Sequence, residues 1–212
     1  MHYCKKLRNR LLRCAMLFWL ASGAHAEGIS VEKAEVRREA DGYHLAARYD
    51  IGLTQVMQQA LSRGISLNFI AEFSLIRPRW YWIDEEVFQG EQTIKLSYNV
   101  LTRQYRISRG ALYQNFGSLD DALNILSRQT SPAIPAELLK RQSGYVSDFV
   151  NEWIKREGNL NASLRLRLDN AQLPKLLQVN ALSGSDWTLN SDWHRWEVSP
   201  ADLAASAAPR KE

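Results

Sequence analysis

The segment Arg77-Pro-Arg-Trp-Tyr-Trp82, followed by Asp84-Glu85-Glu86, concentrates the residue types best suited to binding or reaction. Aromatic faces stack on sugars, bases or proline-rich peptides, and the flanking Arg77 and Arg79 can pair with acidic groups. Trp80, Tyr81 and Trp82 therefore form a candidate ligand platform, with Arg103 as a further cation near it in sequence. A structural reading competes with this one. Trp80 and Trp82 lie two residues apart, hence on one face of a strand, where large aromatics pack on a core or plug the end of a sheet; this reading is preferred because such side chains dominate core energetics. Asp84 and Glu85 could serve as the paired carboxylates of a glycoside hydrolase, which needs two acids about 5 to 10 Å apart across a cleft. Adjacent acids in a loop after an aromatic run are more simply solvated turn residues.

Other chemistries find little support. Beyond residue 26 the only histidines are His44 and His194, each at a position that alternation places on the solvent face of its strand, and neither has a second histidine at ligand spacing. Both cysteines, Cys4 and Cys14, fall within the first 26 residues. The rest of the chain can hold no disulfide, Cys-ligated zinc, iron–sulfur cluster or cysteine nucleophile. There is no phosphate-binding glycine loop, nucleophile elbow or HExxH. No enzyme, no metal site and no cofactor is expected.

The formal charge of +4 over 212 residues is carried by the leader-like start. Lys5, Lys6, Arg8, Arg10 and Arg13 precede the apolar run Cys14-Ala-Met-Leu-Phe-Trp-Leu-Ala21, and Ala24-His-Ala26 supplies the small residues a signal peptidase reads. That run is under half the roughly 20 residues of a membrane-spanning helix. Residues 1–26 are expected to be a signal peptide cleaved after Ala26, which makes the protein exported and periplasmic. The remainder is close to neutral, so no polybasic surface for nucleic acid is expected.

Period-two alternation dominates the mature chain. Ile65, Leu67, Phe69, Ala71, Phe73 and Leu75 share one face of a strand, and Leu160, Ala162, Leu164, Leu166 and Leu168 share another. Tyr43 to Ile51 is a strand joined to 29–39 through the turn signal Asp41-Gly42. A second hairpin links Ile94–Val100 to Tyr105–Ile107, and a last strand is expected over Trp187–Val198. Helical spacing marks three segments. Leu53–Arg63 ends at Gly64, a second helix opens at the capping box Ser118-Leu-Asp-Asp121, and Gly144–Gly158 carries the stripe Tyr145, Phe149 and Trp153. That last stripe must cover its own sheet or another molecule; its own sheet is preferred, with Trp153 as the interface residue otherwise. The fold class is mainly β, an antiparallel sandwich of seven to eight strands with two or three short helices inserted. It forms a single domain over 27–198, followed by a disordered tail over 199–212.

The ordered motifs Trp80-Tyr-Trp-x-Asp84-Glu85, Leu96-Ser-Tyr-Asn-x-Leu-Thr-Arg-Gln-Tyr-Arg106, Arg167-Leu-Asp169, Gln178-Val-Asn-Ala-Leu182 and Asp186-Trp187 through Ser191-x-Trp193 make the chain resemble a family of exported proteobacterial proteins, domain of unknown function 4390. The resemblance runs from about Ile29 to Val198. It implies secretion, and an envelope or signalling context, since genes of this family often stand beside one for a nitrogen-regulation sensor kinase. The chain departs from that family in the long helical segment 144–157. The expected function is a non-enzymatic interaction module of the cell envelope whose partner is an envelope or sensor protein, with a small-ligand or glycan-binding module on Trp80-Tyr81-Trp82 as the alternative. A deep pocket containing Arg77 or Arg103 would favour the ligand, and an exposed strand edge the partner.

Overall fold

The computed structural model describes residues 28–79, 83–139, 159–175, 177–178 and 185–206. Two antiparallel sheets build the fold. The smaller has the order β1 (Gly28–Glu39), β2 (Gly42–Gly52), β7 (Arg128–Thr130). The larger runs β6 (Leu112–Phe116), β5 (Gln104–Arg109), β4 (Glu85–Asn99), β3 (Leu67–Arg77), β8 (Leu160–Leu168), β9 (His194–Val198). Helix α1 (Gln55–Ser62) links β2 to β3, α2 (Leu119–Leu126) links β6 to β7, α3 (Ala136–Leu139) follows β7, and α4 (Pro200–Ser206) follows β9.

Alternation explains the centre of the larger sheet. Phe69, Ala71 and Phe73 of β3 pair in register with Leu168, Leu166 and Leu164 of β8, and all six are buried. On the opposite face the same ladder sets Glu72 beside Arg165 and Ile70 beside Arg167. From the smaller sheet Leu45, Ala47, Tyr49 and Ile51 enter the same apolar cluster, so both sheets close on one core in a sandwich-like arrangement.

The first two helices form where helical spacing predicts them, the stop at Gly64 and the start at Ser118 included. Thr54 caps α1 by accepting from the Met57 amide at 3.2 Å, and the stripe Met57, Ala60, Leu61 is buried. Gly64 leaves that helix at φ +86°, a conformation that favours glycine. Ser118 accepts from the Asp121 amide at 3.1 Å and donates to Asp121 Oδ2 at 2.7 Å. At the far end of α2 the partly buried Arg109 donates to the carbonyls of Ile125 and Arg128, tying the helix to β5.

The described residues hold nine strands and four helices, so the fold is the mainly β antiparallel sandwich with short helices inserted that the sequence predicts. Three expectations are corrected. Trp187–Val198 is not a single strand: Ser185–Trp187 is a 3-10 turn, Asn190 makes an isolated bridge to Arg167, and only His194–Val198 joins the sheet. Trp187, Leu189 and Ser191 are nevertheless buried. The chain after Ser199 begins with a helix, α4, which packs on β1 and brings Leu203 against the core. His44 is buried, because the segment after β7 runs along β2: Ser131 donates its amide to Leu45 O, and Ile134 bridges Tyr43.

Candidate functional site

Arg77 and Arg79 stand at the base of the loop between β3 and β4. Arg77 Nη1 donates to Glu85 Oε2 at 2.8 Å, Arg79 Nη2 donates to the same oxygen at 2.6 Å, and the Arg79 amide donates to Asp84 Oδ1 at 3.1 Å. Arg77 Nη2 also donates to the Leu138 carbonyl of α3 at 3.1 Å. Both guanidinium groups are thus engaged within the chain, and they clamp the two ends of the loop together. Partial burial pushes the Glu85 carboxyl up, but the two arginines outweigh it and hold it below the ordinary glutamate range. A carboxylate held ionised in this way is unlike the raised-pKa general acid that glycoside cleavage uses. Trp80, Tyr81 and Trp82 lie outside the described residues, as does the segment 144–158 with Trp153. Ile83, next to the aromatic triplet, is 79 % exposed.

Arg103 lies elsewhere, on the four-residue turn between β4 and β5. It adopts φ +53°, where a side chain is strained, and Asn99 Oδ1 shapes the turn by accepting from the Leu101 and Thr102 amides. The turn lifts Val100 and Leu101 into solvent, Leu101 to 95 % exposure. The structure therefore does not join Arg103 to the Arg77–Arg79–Glu85 cluster through any described contact.

The feature that alternation alone did not reveal is β6. It pairs only with β5, and its other edge has no strand partner among the described residues. Tyr113, Gln114 and Asn115 are exposed, and Leu112 is 78 % exposed. Tyr113 is held in place by Arg106, whose guanidinium carbon sits 4.7 Å from the ring centroid while Nε donates to Asn115 Oδ1 at 2.9 Å. The signal was the five-residue run Leu112-Tyr-Gln-Asn-Phe116 after Gly110, a short strand following a glycine turn. The turn with Leu101 lies at the Phe116 end of this edge, because Phe116 pairs with Tyr105 and Gln104 with Asn99.

Concave surface lies apart from these residues. A groove of about 490 Å³ crosses the outer face of the small sheet, with Ala46 in it and Lys33, Glu35, Arg37, Arg48 and Arg128 among its lining residues. Hydrogen bonding to Lys33 lowers the Glu35 carboxyl to about 2, with Arg37 adding to the effect and partial burial opposing it. Neither this groove nor those beside Leu173 and Tyr49 is lined by Arg77 or Arg103. No described helix is long and apolar enough to cross a membrane.

The family model for a domain of unknown function, DUF4390, matches residues 26–197, and the chain belongs to that family. Comparison with curated proteins and with solved structures finds no match.

Proposed function

We propose that this chain is an exported, non-enzymatic interaction module of the cell envelope, and that it receives a partner through the open edge of β6. The observation that carries the reading is an unpaired strand edge bearing Leu112 and Tyr113, with the exposed Leu101 turn at one end. A free edge offers backbone donors and acceptors in a row, and natural proteins cover or charge such edges when they are not used. Addition of a partner strand satisfies those groups, and exposed apolar side chains give the contact its selectivity. The leader-like residues 1–26 support export, and the family resemblance supports an envelope or extracytoplasmic sensor protein as partner. A photo-crosslinking residue at Tyr113 should trap a protein in the periplasmic fraction, whereas the same residue at Val56, on α1, should not. The pair Leu112→Lys and Tyr113→Lys should abolish capture while leaving the melting temperature close to that of the parent. Absence of a crosslinked species, or capture that survives the lysine pair, would overturn this reading.

A second reading rests on the clamped base of the β3–β4 loop. Arg77, Arg79 and Glu85 would hold Trp80-Tyr81-Trp82 ready for a glycan, with Ile83 exposed beside them. Tryptophan fluorescence titrated with envelope oligosaccharides tests it, with Trp82→Ala as the variant that should lose the response.

A further inference from the structure

The tip of the β1–β2 hairpin gathers three groups of metal-ligand type away from the β6 edge. Glu39 ends β1, Asp41 occupies the turn and His44 is the third residue of β2, and one ligand atom from each lies within 4.8 Å of the other two. The carboxylates are exposed and the imidazole is buried. His44 Nδ1 stands 2.8 Å from the Ser131 carbonyl oxygen. A carbonyl can only accept, so Nδ1 carries a ring proton and donates it there. His44 Nε2 faces Asp41 Oδ1 at 3.0 Å. In a neutral ring that nitrogen would turn its lone pair toward a carboxylate oxygen, which is unfavourable unless positive charge lies between them. Either a second proton or a metal ion supplies that charge.

We propose that Glu39, Asp41 and His44 bind a first-row divalent transition-metal ion of the Zn2+ type, through His44 Nε2 and one oxygen of each carboxylate. The Ser131 contact fixes the tautomer a ligand needs, since a ligating imidazole is normally oriented by a hydrogen bond from its other nitrogen and here leaves Nε2 to face the two carboxylates. The nitrogen ligand disfavours Mg2+ and Ca2+, which prefer oxygen alone. Bonds of 2.0–2.2 Å in tetrahedral geometry set ligand atoms about 3.4 Å apart, so Asp41 Oδ1, at 3.0 Å from His44 Nε2, needs only to ease outward slightly, while the exposed Glu39 carboxylate closes in by about 1 Å. Arg37, cross-strand from His44, is engaged by Glu35 at 2.5 Å. Three protein ligands leave a fourth position for water or a partner's side chain.

The test is calorimetric titration of the metal-free full chain with ZnCl2 at neutral pH, together with nitrogen NMR of the imidazoles. One ion per chain should bind with micromolar affinity, shift the His44 Nε2 resonance and raise the melting temperature. Asp41→Asn and Glu39→Gln change exposed side chains, so they should fold, and each should weaken binding by at least about tenfold. Glu32→Gln on the same hairpin and His194→Gln should leave affinity unchanged. Binding that survives both ligand variants, or Ca2+ binding as tight as Zn2+, would overturn the proposal. So would a His44 ring that stays doubly protonated with no response to millimolar Zn2+, because the second proton would then be the charge that the site holds.

Discussion

Glu72 and Glu91 stand directly opposite each other on β3 and β4, yet they play opposite electrostatic parts. Glu72 receives the Nε groups of both Arg165 and Arg167, the latter at 3.0 Å, and the Arg165 guanidinium carbon also lies 4.5 Å from the Trp193 ring centroid. Glu91 is exposed. Like charges paired across a sheet destabilise it by about 0.2 to 1 kcal/mol. Glu91→Gln should therefore raise stability by a few tenths of a kcal/mol, while Glu72→Gln, which strips two charge-assisted hydrogen bonds, should lower it by about 1 to 2 kcal/mol. Burial pushes the Glu72 carboxyl up, but the two arginines bring its net shift below the ordinary glutamate range. Its contribution is full above the unfolded glutamate pKa and is lost as pH falls through the lowered folded value. Urea denaturation of the two variants at neutral and acid pH checks both signs, and Glu72→Gln should flatten the acid limb.

Phe73 tests the reading of β3. Its side chain is 1 % exposed and its register partners are Gly90 on β4 and Leu164 on β8. Phe73→Ala removes most of that packing and leaves a cavity, so a loss of about 3 to 5 kcal/mol is expected by chemical denaturation. A loss below about 1 kcal/mol would mean that the surrounding side chains collapse into the space.

Much of this architecture was legible because period two reports which side chains share a face. The core faces of β2, β3 and β8, the end of α1 at Gly64 and the start of α2 at Ser118 follow directly from residue type and spacing. What alternation does not report is whether a second segment covers the outer face. Alternation alone puts His44 in solvent for that reason, and the covering contact comes from Ser131, 87 positions away. Helix α4 was legible in principle. Ser199 Oγ caps the Asp202 amide at 3.2 Å and Asp202 Oδ2 accepts from the Ser199 amide at 2.9 Å, with Pro200 at the first helical position. Ser199-Pro-Ala-Asp202 has the same form as the box at Ser118, but the alanines and serines after it suggested a chain with little to bury. For the binding residues, alternation and composition pointed to Trp80, Tyr81, Trp82 and Trp153, which fall outside the described residues, whereas the free edge of β6 is a property of sheet order. Sheet order depends on pairings between distant strands, and no local pattern encodes them.

Gly42 is the residue on which the β1–β2 hairpin turns. Glu39 pairs with Gly42, so Ala40 and Asp41 make the two-residue connection, and Gly42 takes φ +148°. A Cβ there would come within 2.6 Å of the Ile134 carbonyl oxygen, which accepts from the Tyr43 amide at 2.9 Å. Gly42→Ala must strain the backbone or break that bridge, for an expected cost of about 2 to 4 kcal/mol. Hydrogen exchange at the amides of Tyr43 and Ile134 should quicken together. Unchanged protection at both, with parental stability, would show that the segment after β7 does not dock on the hairpin.

Tyr49 carries an unpaired polar group into the apolar core. Its ring is buried in the core, 2 % exposed, and its hydroxyl has no hydrogen-bond partner among the described residues. Burial alone pushes the phenol well above the ordinary tyrosine range. A buried hydroxyl without a partner carries a desolvation cost of about 1 to 3 kcal/mol that the ring's own packing must offset. Tyr49→Phe keeps the ring and deletes the unpaired group, so it should stabilise the domain, by about 1 kcal/mol once some relaxation is allowed. The pH dependence should change too. Because the folded pKa is raised, the neutral phenol favours the native state up to the unfolded tyrosine pKa, and stability falls as pH rises beyond it. The phenylalanine variant should lose this alkaline slope. Denaturation midpoints at neutral and alkaline pH measure both effects, and a variant less stable than its parent would reveal that the hydroxyl holds a partner in the folded chain.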